Sequence, residues 1–449
     1  MKHVRRMLAL LMCLFLLPVA AWSESQRLPL QAAHKVTYKQ RSAEQGNGSV
    51  AYWWDVATAN EHVTQELAGL VKAYVHEMMP ALERPAQGAE SRLDVNVLNS
   101  RTGLTWMSFM VQSRYVRNKE VKDVRFTTRT YDMVTGQRLL LTDIFPQGSE
   151  AWGILTQAVR EGVNAYYPDT APDAAALEAA CTRSAVEGMD FTLHGMSLVL
   201  HLHAADFYPG KQQLIEVPLY YPEIRPYMTE KAQVETDNLR YYNTVALTYD
   251  DGPNGWVTRE MLNVLMETGT RATFFPVGSR MTGHAQYVLR EHDEGHAIAS
   301  HNFSHVYANR SNAEELRRLK EKADQVHLKL LGIAPKYARA PGGIWKPMAD
   351  AKLGWPLIQW SAQGSDMTEE PRAPQAISDA VVGTTKNGGI ILMHDMKSDS
   401  VTASKMFIPS LQARGYLFLT IDELFAKDGV ELQPDTPYWR CLEGITTEQ

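Results

Sequence analysis

Thr248-Tyr249-Asp250-Asp251-Gly252-Pro253 closes a short apolar run, Thr244–Tyr249, with two adjacent acids and a turn. The same arrangement recurs downstream. His301 and His305 follow the run Ala297–Ser300, and Arg339-Ala340-Pro341-Gly342-Gly343 closes Lys336–Arg339. Asp366 comes shortly after Leu357–Ser361, and His394–Asp395 closes Gly389–Met393. With Ala272–Val277 and Leu417–Thr420, these runs alternate with helical stretches such as Asn312–Leu331 across residues 244–430. Strands alternating with helices imply a parallel sheet, either an open layer or a closed barrel. In a parallel barrel all C-terminal strand ends share one face, and reacting groups converge there. Asp-Asp-Gly-Pro alone is common surface punctuation, so the shared placement carries more than any one motif.

The residue types suit metal-assisted hydrolysis. His301 and His305 are at i and i+4, which sets two imidazoles on one side of a helical turn and suits a single ion. A catalytic zinc site needs three protein ligands and an open position for water. Two histidines and one carboxylate meet that need, and the aspartate pair is expected on the same face. Adjacent aspartates can divide the work: Asp251 as ligand, and Asp250 as the base toward water whose pKa the ion lowers to about 7. His394, on a separate strand end, would supply a proton to the leaving amine. Arg339 would orient the base by a charge-assisted hydrogen bond, and backbone N–H groups near Gly342 would stabilise an oxyanion. Trp256, Tyr307 and Trp345 follow these residues, where they either stack on sugar rings or pack at the rim. One divalent metal is expected, with zinc first in line, although the same ligands accept other ions.

Upstream, residues 30–221 mix helical and strand-like patterns, as in a smaller α+β domain. Val63, Leu67, Leu70, Tyr74 and Met78 predict an amphipathic helix, and Trp152, Leu155, Val159 and Val163 another. Leu104–Val116 and Val124–Tyr131 read as strands, with a turn at 132–136, and Leu198, Leu200 and Leu202 mark a half-buried strand. His201 and His203, drawn with Asp206, resemble a second metal site, but alternate strand positions facing solvent account for them. The polar residues 222–243, with Pro222 and Pro226, are the expected linker. Residues 431–449 form a C-terminal tail.

Residues 1–25 have the pattern of a signal peptide or N-terminal anchor. Lys2, Arg5 and Arg6 precede the apolar stretch Met7–Val19, and Ala20–Ala21 follow. The stretch is short for a membrane span of ~20 residues. Membrane contact is therefore expected only through an uncleaved segment, and the protein is expected to be secreted or at the cell surface. Beyond that segment only Cys181 and Cys441 remain, enough for one disulfide between the domains or for two buried thiols. The 449-residue chain has a net charge of −6 and no basic tract, so no nucleic-acid partner is expected. There is no Gly-x-Ser-x-Gly elbow and no nucleotide-binding loop. Nothing in the sequence sets the oligomeric state.

The quoted pieces, together with Ser300-His301-Asn302-Phe303-Ser304-His305 and Ile391-Leu392-Met393-His394-Asp395, resemble the polysaccharide deacetylases, carbohydrate esterase family 4, or NodB-homology domain. The resemblance covers residues 245–424 in the family's order. It implies a deformed (β/α) barrel with Asp250 as base, Asp251, His301 and His305 as metal ligands, and His394 as acid. It also implies that Leu392 lines the pocket for the acetyl methyl. Residues 136–145 (GQRLLLTDIF) and 191–219, with Tyr208-Pro209-Gly210, are similar to an extracellular domain of uncharacterised function. That domain precedes some peptidoglycan N-acetylmuramic acid deacetylases and resembles the lysozyme-sensing part of certain anti-sigma factors. The pairing favours peptidoglycan as substrate over chitin oligosaccharides or xylan.

One stretch, residues 360–367 (WSAQGSDM), departs from the family pattern. Gln363 stands where the aspartate that polarises the catalytic histidine is expected, and Met367 replaces a tryptophan of the acetyl pocket. Asp366 matches the second aspartate and is placed to compensate in part. The departure implies weakened support for protonated His394. It also leaves open a wall- or lysozyme-binding surface protein whose deacetylase domain has decayed.

Overall fold

The computed structural model describes residues 27–45, 48–83, 90–368, 370 and 372–447. The expected signal or anchor lies outside the described residues. Among those described, no helix is long and apolar enough to cross a membrane.

The N-terminal domain is β-rich. Strands β1 (Val36–Glu44), β2 (Val50–Thr58), β3 (Ser91–Thr102), β4 (Trp106–Arg117), β5 (Glu120–Asp132) and β6 (Arg138–Leu139) form one sheet in sequence order. All pairs are antiparallel except β2–β3. A parallel pair needs a crossover, and the helix Glu61–Glu83 supplies it. Its residues Val63, Leu67 and Met78 are buried against the sheet, with Leu70 and Tyr74 half-buried beside them. A second sheet, β7 (Phe191–Leu193), β8 (Ser197–His203) and β9 (Leu214–Tyr220), is antiparallel. It packs with Trp152, Leu155, Val159 and Val163 of the helix Ala151–Ala165 in a common core.

Residues 222–243 are not a loose tether. They form the short helices Glu230–Glu235 and Asn238–Tyr241, locked onto the β3–β4 turn. Glu235 Oε2 accepts the Leu104 and Thr105 N–H groups at 2.8 and 3.1 Å, and Asn238 Oδ1 accepts the Gly103 N–H at 2.7 Å. The polar composition that suggests solvent exposure instead satisfies buried backbone groups.

Beyond it lies the barrel, whose hub is β10 (Asn243–Asp250), buried along its whole length. One edge pairs in parallel with β15 (Gly389–His394), and the other with β16 (Tyr416–Leu419) and then β11 (Thr273–Phe275). β11 pairs with β12 (Ala297–Ile298). Single parallel bridges, Ser300 to Ala338 and Ala338 to Leu357, continue the ring to β13 (Leu357–Ile358). β14 (Ala362–Gln363) then returns to β15. The result is a deformed barrel, laddered on one side, bridged residue by residue on the other, and with no strand pair joining β13 to β14 among the described residues. Val245, Leu247 and Tyr249 join the layer shared with the surrounding helices, while Ala246 belongs to a separate core with Phe275, Ile358 and Leu419. This alternation of period two sets Thr248 and Asp250 on the barrel's inner side. The tail is also structural: β17 (Pro437–Tyr438) pairs with β13, and Tyr438 and Cys441 are buried.

Candidate metal centre and active site

Successive side chains of a strand leave on opposite faces, so Asp251 ought to turn away from Asp250. It does not, because the strand ends there: Asp251 has φ 75°, in the left-handed region. Such a conformation is costly for a non-glycine residue and is kept only where its surroundings enforce it. Arg280 Nη1 donates to the Asp251 carbonyl at 2.8 Å, and the Val277 N–H to the Gly252 carbonyl at 3.0 Å. Both carboxylates consequently face one imidazole. His301 Nε2 lies 3.4 Å from Asp251 Oδ1 and 3.9 Å from Asp250 Oδ2.

His305 Nε2 is 3.2 Å from the same Asp251 oxygen, and the three side chains offer ligand atoms all within 4.8 Å of one another. Asp251 Oδ1 is buried and has no hydrogen-bond partner. His301 Nδ1 donates to the Arg339 carbonyl at 2.9 Å, which leaves the Nε2 lone pair directed at the cluster. Although burial opposes ionisation, the nearness of His301 above all, with His394 and His305, holds the Asp251 carboxyl at about 2. An ionised carboxylate and two imidazoles around an unpaired oxygen fit a divalent cation. The two histidines do not share a helical turn, as their spacing suggests. Residues 301–305 form an irregular loop with Asn302 at φ 64°, its carbonyl held by the Gly278 N–H at 3.0 Å.

On the other side of Asp250 stands Arg339, fully buried inside the barrel. Its Nη1 donates to Asp250 Oδ1 and to Thr248 Oγ1, both at 2.7 Å. Nε and Nη2 donate to the Ile358 and Gln359 carbonyls at 3.1 and 3.0 Å. The guanidinium is thus fixed by β10 and the end of β13 before it meets the aspartate. His394 is the register neighbour of Asp250 across the β10–β15 ladder.

Asp366, expected to compensate in part for Gln363, reaches His394 directly. Asp366 Oδ1 accepts from His394 Nδ1 at 2.9 Å, and Oδ2 from the His394 backbone N–H at 3.0 Å and Ser400 Oγ at 2.6 Å. Burial works against a charged imidazole, but the Asp366 bond and charge outweigh it and raise the His394 pKa. Gln363 instead accepts from Trp360 Nε1 at 3.1 Å.

Leu392, His394, Asp366, Gln363 and Met367 line a cavity of about 180 Å³ beside the cluster. Leu392 is its apolar buried wall, while Met367 is 41% exposed at its rim. Gly342, at φ 66°, lies against Tyr307, whose ring is 5.8 Å from that of His305. Trp256 and Tyr307 are exposed. Trp345 packs edge-on against Trp439 at 6.0 Å and joins the Leu353–Trp355 core, so much of its surface is engaged by protein.

The supporting groups Arg280, Ser400 and Thr258 have no sequence signal, whereas Asp395, the partner of Thr258, ends a quoted motif. Asp395 is buried beneath the Gly252 turn and accepts from Thr258, and burial raises its carboxyl to about 6. Only Asp395 touches a quoted motif, and the others act through contacts between distant helices. Cys181 and Cys441 are separate, buried free thiols rather than a disulfide. His201 does not face solvent. It is buried and bonded through Nε2 to Thr192 Oγ1 at 2.7 Å, while His203 packs 4.4 Å from the Phe126 ring.

Comparisons with known proteins agree with this chemistry. The family model described as polysaccharide deacetylase matches residues 241–353. The peptidoglycan-N-acetylglucosamine deacetylase PgdA of Listeria monocytogenes is 27% identical over 342 residues, covering 73% of this chain and 71% of that protein. A peptidoglycan-N-acetylglucosamine deacetylase of Bacillus cereus is 31% identical over 188 residues, 40% of this chain and 87% of the relative. The solved structure of the peptidoglycan deacetylase PdaC from Bacillus subtilis is 28% identical and covers 41% of this chain and 91% of that one, with a TM-score of 0.40.

Proposed function

The chain belongs to the polysaccharide deacetylases, and from that premise we propose that it hydrolyses N-acetyl groups of peptidoglycan sugars outside the cytoplasm, with one divalent metal held by Asp251, His301 and His305. The observation that carries the reading is the unpaired, buried Asp251 oxygen between two imidazoles, flanked by Asp250 on Arg339 and His394 on Asp366. Peptidoglycan is favoured because the Listeria relative aligns over 73% of the chain. Relatives named as a chitooligosaccharide deacetylase and a xylanase/deacetylase align over 40% and 45%.

When bound, a divalent ion supplies Lewis-acid polarisation of the acetyl carbonyl and lowers the pKa of water, with zinc the expected ion. The protein's own groups do the rest. Asp250, oriented by Arg339, takes the proton of the attacking water as its oxygen bonds to the acetyl carbon. His394, whose pKa Asp366 raises against the effect of burial, gives its proton to the sugar nitrogen as the C–N bond breaks. Acetate and a free amine leave. Leu392 receives the acetyl methyl, backbone N–H groups near Gly342 face the developing oxyanion, and Tyr307 and Trp345 border the sugar.

The test compares metal content and acetate release in the wild type and in Asp251→Asn, His301→Ala and His305→Ala, with muropeptide mass spectrometry locating each lost acetyl group. Metal and activity should disappear together. Full activity in metal-free protein would overturn the reading. Faster release from chitin oligosaccharides or acetylated xylan than from peptidoglycan would transfer the mechanism to that substrate.

A further inference from the structure

A second cavity, of about 410 Å³, lies between the N-terminal domain and the barrel. That volume is within the ~300–1,000 Å³ of small-molecule sites, which favour domain interfaces. On the barrel side it is lined by Arg271, His296 and Lys336, which stand just before β11, β12 and the Ala338 bridge. Asp250, His301, Arg339 and His394 all stand at C-terminal strand ends. The cavity therefore belongs to the opposite face of the barrel and is no extension of the catalytic mouth.

Most charges there are already matched. Asp422 accepts from Lys336 at 3.0 Å and Tyr337 at 2.8 Å. Glu423 accepts from Ser197 Oγ at 2.7 Å and from the Thr420 N–H at 3.2 Å. Two groups are not matched. Glu216, projecting from β9 with its side chain 18% exposed, accepts no hydrogen bond among the described residues, and its nearest partner is His201 Nδ1 at 3.8 Å. Arg271, its side chain 15% exposed, donates through Nε to the Gly295 carbonyl at 2.6 Å. Its Nη1 is buried without a hydrogen-bond partner, 3.6 Å from Glu423. Nearby, His296 Nδ1 accepts the Ala272 N–H at 3.1 Å, which places the ring proton on Nε2 as a further donor.

A half-buried carboxylate without donors and a guanidinium with an unfilled donor ask for a ligand that carries both complements. A metal ion does not answer this. Among the described residues only Asp251, His301 and His305 bring three ligand atoms together. A simple anion would meet Glu216 and Asp422, and a neutral sugar would offer neither Glu216 nor Arg271 an opposite charge. We propose that this cavity binds a small zwitterion, a free amino acid or the end of a short peptide, with its ammonium on Glu216 and its carboxylate on Arg271. Because Glu216 comes from the N-terminal domain and Arg271 from the barrel, the ligand would bridge the two.

Isothermal titration calorimetry of the full chain with glycylglycine tests this, with acetate, ethylamine and N-acetylglucosamine as single-feature controls. Glycylglycine should bind, and acetate and ethylamine should each bind at least about tenfold more weakly, since each lacks one charge-assisted contact. Glu216→Gln removes no existing hydrogen bond. It should weaken glycylglycine by about tenfold or more while metal content and acetate release stay at wild-type levels. In the wild type, amide-exchange protection near Gly295 and Glu216 on adding the dipeptide gives a readout that does not depend on any variant folding. No heat and no protection at about 10 mM dipeptide, where even millimolar affinity registers, would mean a water-filled gap and overturn the proposal. So would equal binding by the glutamine variant.

Discussion

Asp366 grips His394 with both carboxylate oxygens, one on the ring at 2.9 Å and one on the backbone N–H at 3.0 Å. A ring held at two points keeps its orientation as well as its proton. Asp366→Asn should lower acetate release by roughly 10²-fold, the lower end of what general acid–base groups contribute. The imidazolium pKa, now raised by Asp366, would fall. The alkaline limb of the pH–rate profile should therefore move to lower pH. A profile that only drops in height, with its limbs unmoved, contradicts the assignment.

Arg339 is the most heavily bonded cation of the site. Replacing it with Met leaves Asp250 buried without its counter-charge, which costs about 3–5 kcal/mol, read as a lower urea midpoint. Arg339→Lys should rescue little, because one ammonium cannot serve the Ile358, Gln359, Thr248 and Asp250 acceptors together.

Among the described residues the Arg280 side chain donates to the Asp251 carbonyl and to Met396 Sδ. Arg280→Met should loosen the left-handed turn and weaken metal affinity by roughly 10–100-fold, as loss of outer-shell support does. Activity at saturating metal should remain near wild type. A fall in saturated rate with unchanged affinity would place Arg280 in a different role.

At Gly252 a Cβ would run into both carboxylate oxygens of Asp395. Gly252→Ala should therefore release metal during dialysis against a weak chelator. Adding Asp395→Ala, which clears the obstruction, should recover part of that affinity. If the double variant is no better than the single, the Asp395 contact is not what demands glycine there.

The two domains share a buried charge chain, Arg114–Asp293–His292, with Arg114 Nη2 at 2.8 Å and His292 Nδ1 at 2.9 Å from the Asp293 carboxylate. Burial disfavours the imidazolium, but the Asp293 bond and charge raise the His292 pKa above 6.5. Its contribution to stability is therefore full below about pH 6.5 and is lost as pH rises through the raised value. Burial likewise opposes ionisation of Asp293, yet Arg114 and His292 hold it below 3.8, so its contribution fails only in acid. The urea midpoint of the wild type should drop between about pH 6 and 9 more than that of His292→Gln. Equal slopes would remove His292 from the account.

The barrel was legible because parallel strands buried on both faces are near-continuous apolar runs, and because polar residues at their C-terminal ends break those runs in a regular way. Asp250, Asp251, His301, His305, Arg339, Asp366 and His394 meet for that reason. What stayed hidden is what a linear pattern does not encode. The His301–His305 spacing fits a helix as well as the loop that exists, and only the Asn302 turn decides. The Gln363 substitution looks like a lost partner until the backbone brings Asp366 to the ring. Residues 222–243 are polar for the sake of buried N–H groups on the β3–β4 turn, which polarity alone cannot separate from contact with water. His201 alternates like a solvent-facing residue, yet Thr192 and Phe126 of neighbouring strands enclose it.

β10 takes its partners from β15 and β16, made more than a hundred residues later, and the ring passes through β13, which the last strand, β17, flanks. Closure of so non-local a ring is slow compared with local folding. A growing or truncated chain that already displays both aspartates and both histidines still lacks the walls that aim them. The cluster of Asp251, His301 and His305 thus takes its walls from segments that follow it in the sequence, β15 and β16 among them.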